Sequence, residues 1–425
     1  MPDLFKTQPT GSSLVQLEPD VIPPLGGIGR LIGPQLLLVG NGDLAALAAD
    51  VDVRGDVYPN LEITFQLDPI GGATTFIPNE DNWGVGPEGL AAKDFWDKGV
   101  LGQRVRVGIA DSGLDSTHPA FADLVTENRI VGFAHFNKQG AQVIQTRPDG
   151  SVIPDSEATP TFGHLHGTHC AAIVAGQPTD GKERGVAPGA ELAVTRVLEE
   201  SNTGSVAGIS AGLWWLTTQS CDIVSLSLGW PGLHEDWAAP IKALLDAGVV
   251  VVAAVGNEFD AAGVPKSRSP ANYPLPPSDS TSGLLVPVGA HDRTGAVWVS
   301  SGGETVNWTN VQVLQVDGTS RPSIFSAAAE HLVPSMVAPG VEIVSAAPGN
   351  KYCPLDGSSM ATPHIAGLVA LILSHLRSSD PVVRPRAAAD LLFESLQDIS
   401  PPGPDIRSGD GRIDNGALLQ AVLGP

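Results

Sequence analysis

VRVGIADSGLDSTHP, residues 105–119, is the stretch on which the fold is decided. Its opening run, 105–110, is short and nearly continuous in apolar residues, the pattern of a strand buried on both faces. Residues 192–194, 223–226 and 249–255 have the same character. Helical patterns lie between them at 167–175, 206–218 and 237–247, and a further one covers 361–376. Strands alternating with helices predict an α/β fold, a three-layer sandwich with a mostly parallel central sheet and helices on both faces. In such sheets ligands gather at the carboxyl ends of the strands, which is where Asp111 stands.

The rest of the chain bounds the reading. With 425 residues, 42% hydrophobic and 16% charged, it can bury a large core, and 49 Gly with 36 Pro point to many tight turns. A net charge of −22 argues against nucleic-acid and anionic-membrane partners, which call for clustered Lys and Arg. The start, MPDLFKTQPTGSS, has no basic region ahead of an apolar stretch, and no run has the length of a membrane span. Three cysteines, 170, 221 and 353, make no disulfide framework and suit a reducing compartment. These features predict a cytoplasmic protein, with secretion by an unrecognised route as the competing reading. Residues 1–30, rich in Pro, Gly and polar residues, predict a poorly ordered arm. Residues 31–81 read as a small α+β unit like a prodomain, and residues 82–425 as the main domain.

Three segments carry chemistry. Asp111 ends its strand, although an aspartate there is most often a cap or turn residue. His166 lies in GHLHGTHCAAIVAG, residues 163–176, ahead of an apolar helix. His166 and His169 are three apart with no acidic third ligand at the spacing of a zinc helix, so a metal reading is weak. Ser359 lies in LDGSSMATPHIAGLVALILS, residues 355–374, at the start of a long apolar helix. Free N–H groups and the positive dipole end there suit an oxyanion, while an N-cap is the plainer meaning of a serine.

Together the segments resemble the subtilisin family, whose patterns are D-S/T-G, H-G-T-H and G-T-S-M-A-S/T-P-H-V-A-G in the order Asp, His, Ser. Here Ser358 replaces Thr, Thr362 is the allowed variant, and Ile365 replaces Val. The resemblance covers roughly residues 82–425, including VAPGVEIVSAAPGNKY (337–352) and GDGRIDNGALL (409–419). It implies a serine endopeptidase in which Ser359 forms the acyl-enzyme, His166 is the base, Asp111 orients it, and Asn257 and the Ser359 N–H receive the oxyanion. It further implies that Ser227, Leu228 and Gly229 pair with an extended polypeptide substrate. Ala254 and Gly256 would line the primary pocket, and Gly204, Val206, Ile209 and Leu228 a second, apolar one. Such small residues imply room for large apolar side chains and a preference for extended apolar segments.

Departures from the family pattern matter as well. The stretch between His166 and the 185–188 turn is short, and Ala120 stands where an Asp ligand is often found. No cofactor is required on this reading, and the usual tight calcium site is expected to be absent, with calcium elsewhere left open. Insertions are expected at about 122–160 and 292–333, the second as a surface hairpin or recognition loop. Cys170 is expected to be a buried small hydrophobe close enough to His166 to confer mercurial sensitivity. The 31–81 unit is expected to serve as the chain's own inhibitor, with cleavage near residues 66–85, and a permanent extension is the alternative. The function expected is protein turnover or precursor maturation. A peptide ligase or cyclase using the same acyl-enzyme, and a catalytically silent binding protein, are the alternatives.

Overall fold

A computed structural model describes residues 7–18, 29–34, 36–49, 53–64, 75–274, 283–399 and 401–424. The chain opens with β1 (Thr7–Leu17), β2 (Arg30–Gly33), β3 (Leu36–Gly40), α1 (Leu44–Ala48) and β4 (Gly55–Thr64). After α2 (Ala92–Trp96) come β5 (Arg106–Asp111), α3 (Ala122–Thr126), β6 (Ile130–His135), α4 (Leu165–Ala175) and β7 (Glu191–Arg196). The short β8 (Thr203–Ser205) runs straight into α5 (Val206–Thr217), followed by β9 (Ile223–Leu226), β10 (Trp230–Pro231), α6 (Ala238–Asp246) and β11 (Val250–Ala254). Next are β12 (Arg268–Ser269), β13 (Leu285–His291), β14 (Glu304–Val306), β15 (Gln312–Gln315), β16 (Ser320–Pro322), β17 (His331–Val333) and β18 (Met336–Pro339). The hairpin β19 (Ile343–Ala347) and β20 (Lys351–Leu355) delivers the chain to α7 (Ser358–Ser379), and α8 (Pro385–Glu394), β21 (Leu396–Gln397), β22 (Arg412–Ile413) and α9 (Asn415–Leu423) close it.

The main sheet has the order β21-β22-β18-β13-β11-β9-β5-β7-β6, parallel except for β21. Its inner strands are buried along their length, which is why their sequences run apolar instead of alternating. The four expected helices appear at α4, α5, α6 and α7. One pair, α4 with α7, packs together and against the sheet, and α5 with α6 forms a second pair on it. By length and composition α7 could cross a bilayer, which the sequence reading did not anticipate, yet 89% of that window is buried inside the fold.

Residues 7–17, expected within a poorly ordered arm, form the strand β1 between β4 and β3. Pro9 and Gly11 give this segment the look of a loop. The register shift between Pro9 and Ser13 absorbs them, opposite a second strand proline, Pro59. Alternation then serves two cores. Val15, Leu17, Leu37, Val39 and Val57 gather with Leu47 and Val53 on one face, while Leu14, Leu36, Tyr58 and Ile63 join the main core. The first core is completed by Val316, which comes from the expected second insertion. That insertion does form a hairpin, β15 with β16, but its free edge pairs with β4 and extends the N-terminal sheet.

The packing of α7 depends on Gly367. A Cβ there would lie 2.6 Å from the Val186 Cβ, so a side chain forces this contact apart. Gly367→Ala is expected to lower stability by about 1–3 kcal/mol, measured as a lower urea midpoint at unchanged slope; no loss would mean that the contact relaxes freely.

Candidate active site

Three neighbouring strands of the main sheet, β5, β9 and β11, carry the expected site residues at or just past their carboxyl ends: Asp111, Ser227 and Asn257. The first turn of α4 brings His166 to Asp111, and the first turn of α7 brings Ser359 beside Ser227. The parallel sheet therefore gathers on one rim residues that lie far apart in sequence.

Asp111 has no solvent exposure, so its carboxylate must be satisfied by protein donors. His166 Nδ1 lies 2.9 Å from both carboxylate oxygens, and the Ser112 N–H donates to Oδ1 at 2.6 Å. Burial alone would lower the His166 pKa, but the Asp111 carboxylate and the Cys170 sulfur together outweigh it and hold the imidazole well above the ordinary histidine value. Neighbouring His164, which caps α4 by accepting from the His166 N–H, is pushed down to about 4 by burial and by the His166 charge.

Ser359 Oγ donates to the Ser227 carbonyl at 3.2 Å, and Ser227 Oγ donates to the Ser359 carbonyl at 2.7 Å. Among the described contacts there is no His166–Ser359 hydrogen bond, so the hydroxyl is turned to the edge segment in this state. Such bonds commonly close only around substrate. Cys170 Sγ lies 3.5 Å from the Ser359 carbonyl and 4.0 Å from His166 Nε2. Burial pushes this thiol's pKa up.

The Asn257 side chain is fixed by its oxygen, which accepts from Ser358 N and Ser358 Oγ, each at 2.9 Å. Its amide nitrogen consequently faces Gly357. A Cβ on Gly357 would lie 3.1 Å from Asn257 Nδ2 and 3.5 Å from the Ser359 N, and φ there is 151°. A side chain at 357 would thus crowd two N–H donors, a pair able to receive a developing oxyanion. Ser358, noted in the sequence only as a conservative change, is the residue that orients Asn257.

The expected substrate-binding residues fall on two walls. Gly204 on β8 pairs with Ile63 of β4, within the register Glu62–Ser205, Ile63–Gly204 and Thr64–Thr203. Ile63 is fully buried in the core cluster that holds Val206, Ile209 and Leu228. On the other wall, Ala254 ends β11, and the Gly256 N–H donates to Ser358 Oγ at 3.1 Å. Beside Gly256 lies a charged pair that the expectation of an apolar pocket did not include. A Cβ on Gly256 would lie 2.4 Å from Glu258 Oε2 and 2.9 Å from Arg268 Nε. Sequence reasoning missed this pair: Glu258 adjoins Asn257, but Arg268 lies in the loop sequence SRSPANY, which has no period to mark it.

The N-terminal sheet is held against this rim by more than the backbone pairing of β4. Lys138 Nζ meets Glu62 Oε1 at 2.6 Å, and the Ala207 N–H donates to Asn60 Oδ1 at 2.9 Å. Farther along the same edge of β4, Arg321 of the hairpin engages Asp56 through Nε and Nη2 and reaches Glu235 Oε1 at 2.6 Å. Asp56 also accepts from Gln315.

Cys170 offers a direct probe of the arrangement, because its sulfur and ligand atoms of Asp111 and His166 lie within 4.8 Å of one another. A mercurial is expected to inactivate the protein slowly, and Cys170→Ala to keep peptidase activity while losing that sensitivity. Equal inactivation of the variant would place the reactive group elsewhere.

The Subtilase family model matches residues 102–411. The Major intracellular serine protease of Bacillus subtilis (strain 168) is 31% identical over 310 residues, 72% of this chain and 81% of its own length. Subtilisin E of the same strain is 30% identical over 285 residues, 67% of this chain and 59% of its own length. The Intracellular serine protease of Paenibacillus polymyxa is 28% identical over 313 residues, 73% of this chain and 79% of its own. A matched domain with a buried aspartate on histidine and a serine opening the long core helix leads to one assignment: the chain belongs to the subtilase family and is a subtilisin-like serine endopeptidase.

Proposed function

We propose that Ser359, His166, Asp111 and Asn257 are the catalytic residues, and that they cleave extended polypeptides through an acyl-enzyme on Ser359. The observation that carries this reading is the buried Asp111–His166 pair, 2.9 Å apart. It supplies a base of fixed tautomer with Nε2 as its proton acceptor. His166 takes the Ser359 proton as Oγ attacks the carbonyl, and the imidazolium is stabilised by Asp111. Asn257 Nδ2 and the Ser359 N–H receive the oxyanion, and His166 then protonates the leaving amine. Losing a side-chain donor of this kind costs about two to three orders of magnitude in subtilisin. Groups of the chain itself perform every step, and no cofactor is called on. The same acyl-enzyme would serve a ligase if an amine outcompeted water.

In this proposal residues 82–425 form the catalytic domain, with the two helix pairs on opposite faces of its sheet as a three-layer sandwich. The N-terminal unit acts as an inhibitor. Support comes from β4, which pairs with β8 at Gly204, a residue of the expected apolar pocket. A preference for apolar side chains belongs to the wall of Val206, Ile209 and Leu228, where Ile63 is buried now. Cytoplasmic protein turnover or precursor maturation fits the two relatives named as intracellular proteases.

Incubating the full chain with a peptide mixture tests this. Hydrolysis products are expected by mass, together with a new protein N-terminus between residues 66 and 85. Ser359→Ala should give neither. Cleavage that persists in Ser359→Ala would refute the nucleophile; joined peptides would favour the ligase; and a chain that keeps its first residue throughout full activity would make the N-terminal unit a permanent extension.

A further inference from the structure

The hairpin of β15 and β16 lies by sequence in the main domain, yet its two ends serve different bodies. Its base is anchored in the main core. Trp308, just ahead of β15, is buried against Tyr273 and Phe325, with ring centroids 5.8 and 4.9 Å away. The Trp308 Nε1–H donates to the Asn272 carbonyl at 3.1 Å, and Val313 joins the same core. The tip, in contrast, lies in the N-terminal unit. Val316 is buried there, and among the described residues it is the one member of that core from the main domain. Its N–H donates to the Gly55 carbonyl at 3.0 Å, while Leu314 and Gln315 pair with Val57 and Asp56 of β4.

Polar groups repeat this division. Asp56 accepts from Gln315 Nε2 and from Arg321 Nε and Nη2, and Arg321 Nη2 also donates to Glu235 Oε1 at 2.6 Å. Glu235 accepts as well from Ser323 Oγ and from the Ile324 N–H. Arg321 thus stands between one carboxylate of each body. Were the N-terminal unit to leave, Glu235 would keep its arginine, but Asp56 would give up the three hydrogen bonds that the hairpin supplies. Val316 would meet water, and the edge of β15 would lie unpaired, a costly state for a two-stranded hairpin. The hairpin is therefore built for β4 as its neighbour.

Strand β4 is held at two places. The rim uses residues 62–64, and the hairpin uses 56 and 57, roughly 20 Å away along the strand. While one anchor holds, the other re-forms within the same assembly, so release requires both to be open together. We infer that the hairpin is a retention latch: after the connection near residues 66–85 is cut, the excised N-terminal unit stays on the rim as a non-covalent partner, and latency ends with its release. The inference rests on the proposal that this unit is an inhibitor. The cut itself is one peptide-bond hydrolysis, in which water adds across the bond to leave a carboxylate and an amine.

The test follows the full chain through its own cleavage. A denaturing gel reads the fraction cut, size exclusion reads the cut unit still bound, and a peptide substrate reads activity. Where the chain does not cut itself, a recognition sequence for a separate protease placed within 66–85 supplies the cut. In the unaltered chain the cut unit should co-elute with the main domain, and activity should lag behind cutting. Asp56→Ala, which leaves Arg321 on Glu235, should speed release and shorten the lag at least about tenfold. Val316→Ser should act in the same direction. Once release is complete, each variant should label with a fluorophosphonate as fully as the unaltered chain, which separates a lost latch from a lost fold. Release as fast as cutting in the unaltered chain, or release rates indifferent to both substitutions, would overturn the latch. Full activity while the cut unit still co-elutes would instead refute the inhibitor proposal, with retention upheld.

Discussion

A carboxylate with no exposure to water, Asp111, is the constraint around which this rim is arranged. Such a charge persists only if donors meet it, and here they are His166 and the adjoining backbone N–H. That demand fixes where β5 ends relative to the start of α4. The packing of α4 on α7 then carries the constraint to Ser359, and Gly367 leaves space on α7 for Val186 of the turn that follows α4. The chemistry at Ser359 is therefore set by a pairing requirement two elements away.

A second set of interactions concerns access. Strand β4 has three partners: β1 along one edge, and along the other β8 at the rim and β15 from an insertion in the main domain. The insertion also contributes Val316 to the N-terminal core and Arg321 to Asp56. Each seam joins groups remote in sequence, so separating the N-terminal unit from the rim would expose apolar surface and break half-buried ion pairs together. Under the proposed inhibitor role, such an attachment would keep the enzyme latent at least until the connection is cut.

Much of this was legible in the sequence, for definable reasons. Strands β5, β9 and β11 were found because burial on both faces leaves an unbroken apolar run, and α7 because its length permits no other reading. Asp111, His166 and Ser359 were individually ambiguous and became legible through their joint order. β1 was not legible, since Pro9 and Gly11 obscure a strand whose pairing depends on a bulge. The partner of β15 was hidden because it lies more than two hundred residues away and alternation does not name a neighbour. Arg268 was hidden for a related reason: a single charge in an aperiodic loop acquires meaning only when the sheet brings it against Gly229 and Gly256.

The central claim is that the Asp111–His166 pair activates Ser359, and the pH dependence of fluorophosphonate labelling tests it most directly. The neutral imidazole is the active form, and its pKa is held above the usual value of 6.5. Labelling should therefore be slow at and below that pH, rise as pH climbs through the raised pKa, and leave its adduct on Ser359. In Asp111→Asn the limb should move to lower pH while the rate falls by several orders of magnitude, up to about 10⁴. An adduct on another residue, or a rate on Ser359 that ignores both pH and Asp111, would contradict the account.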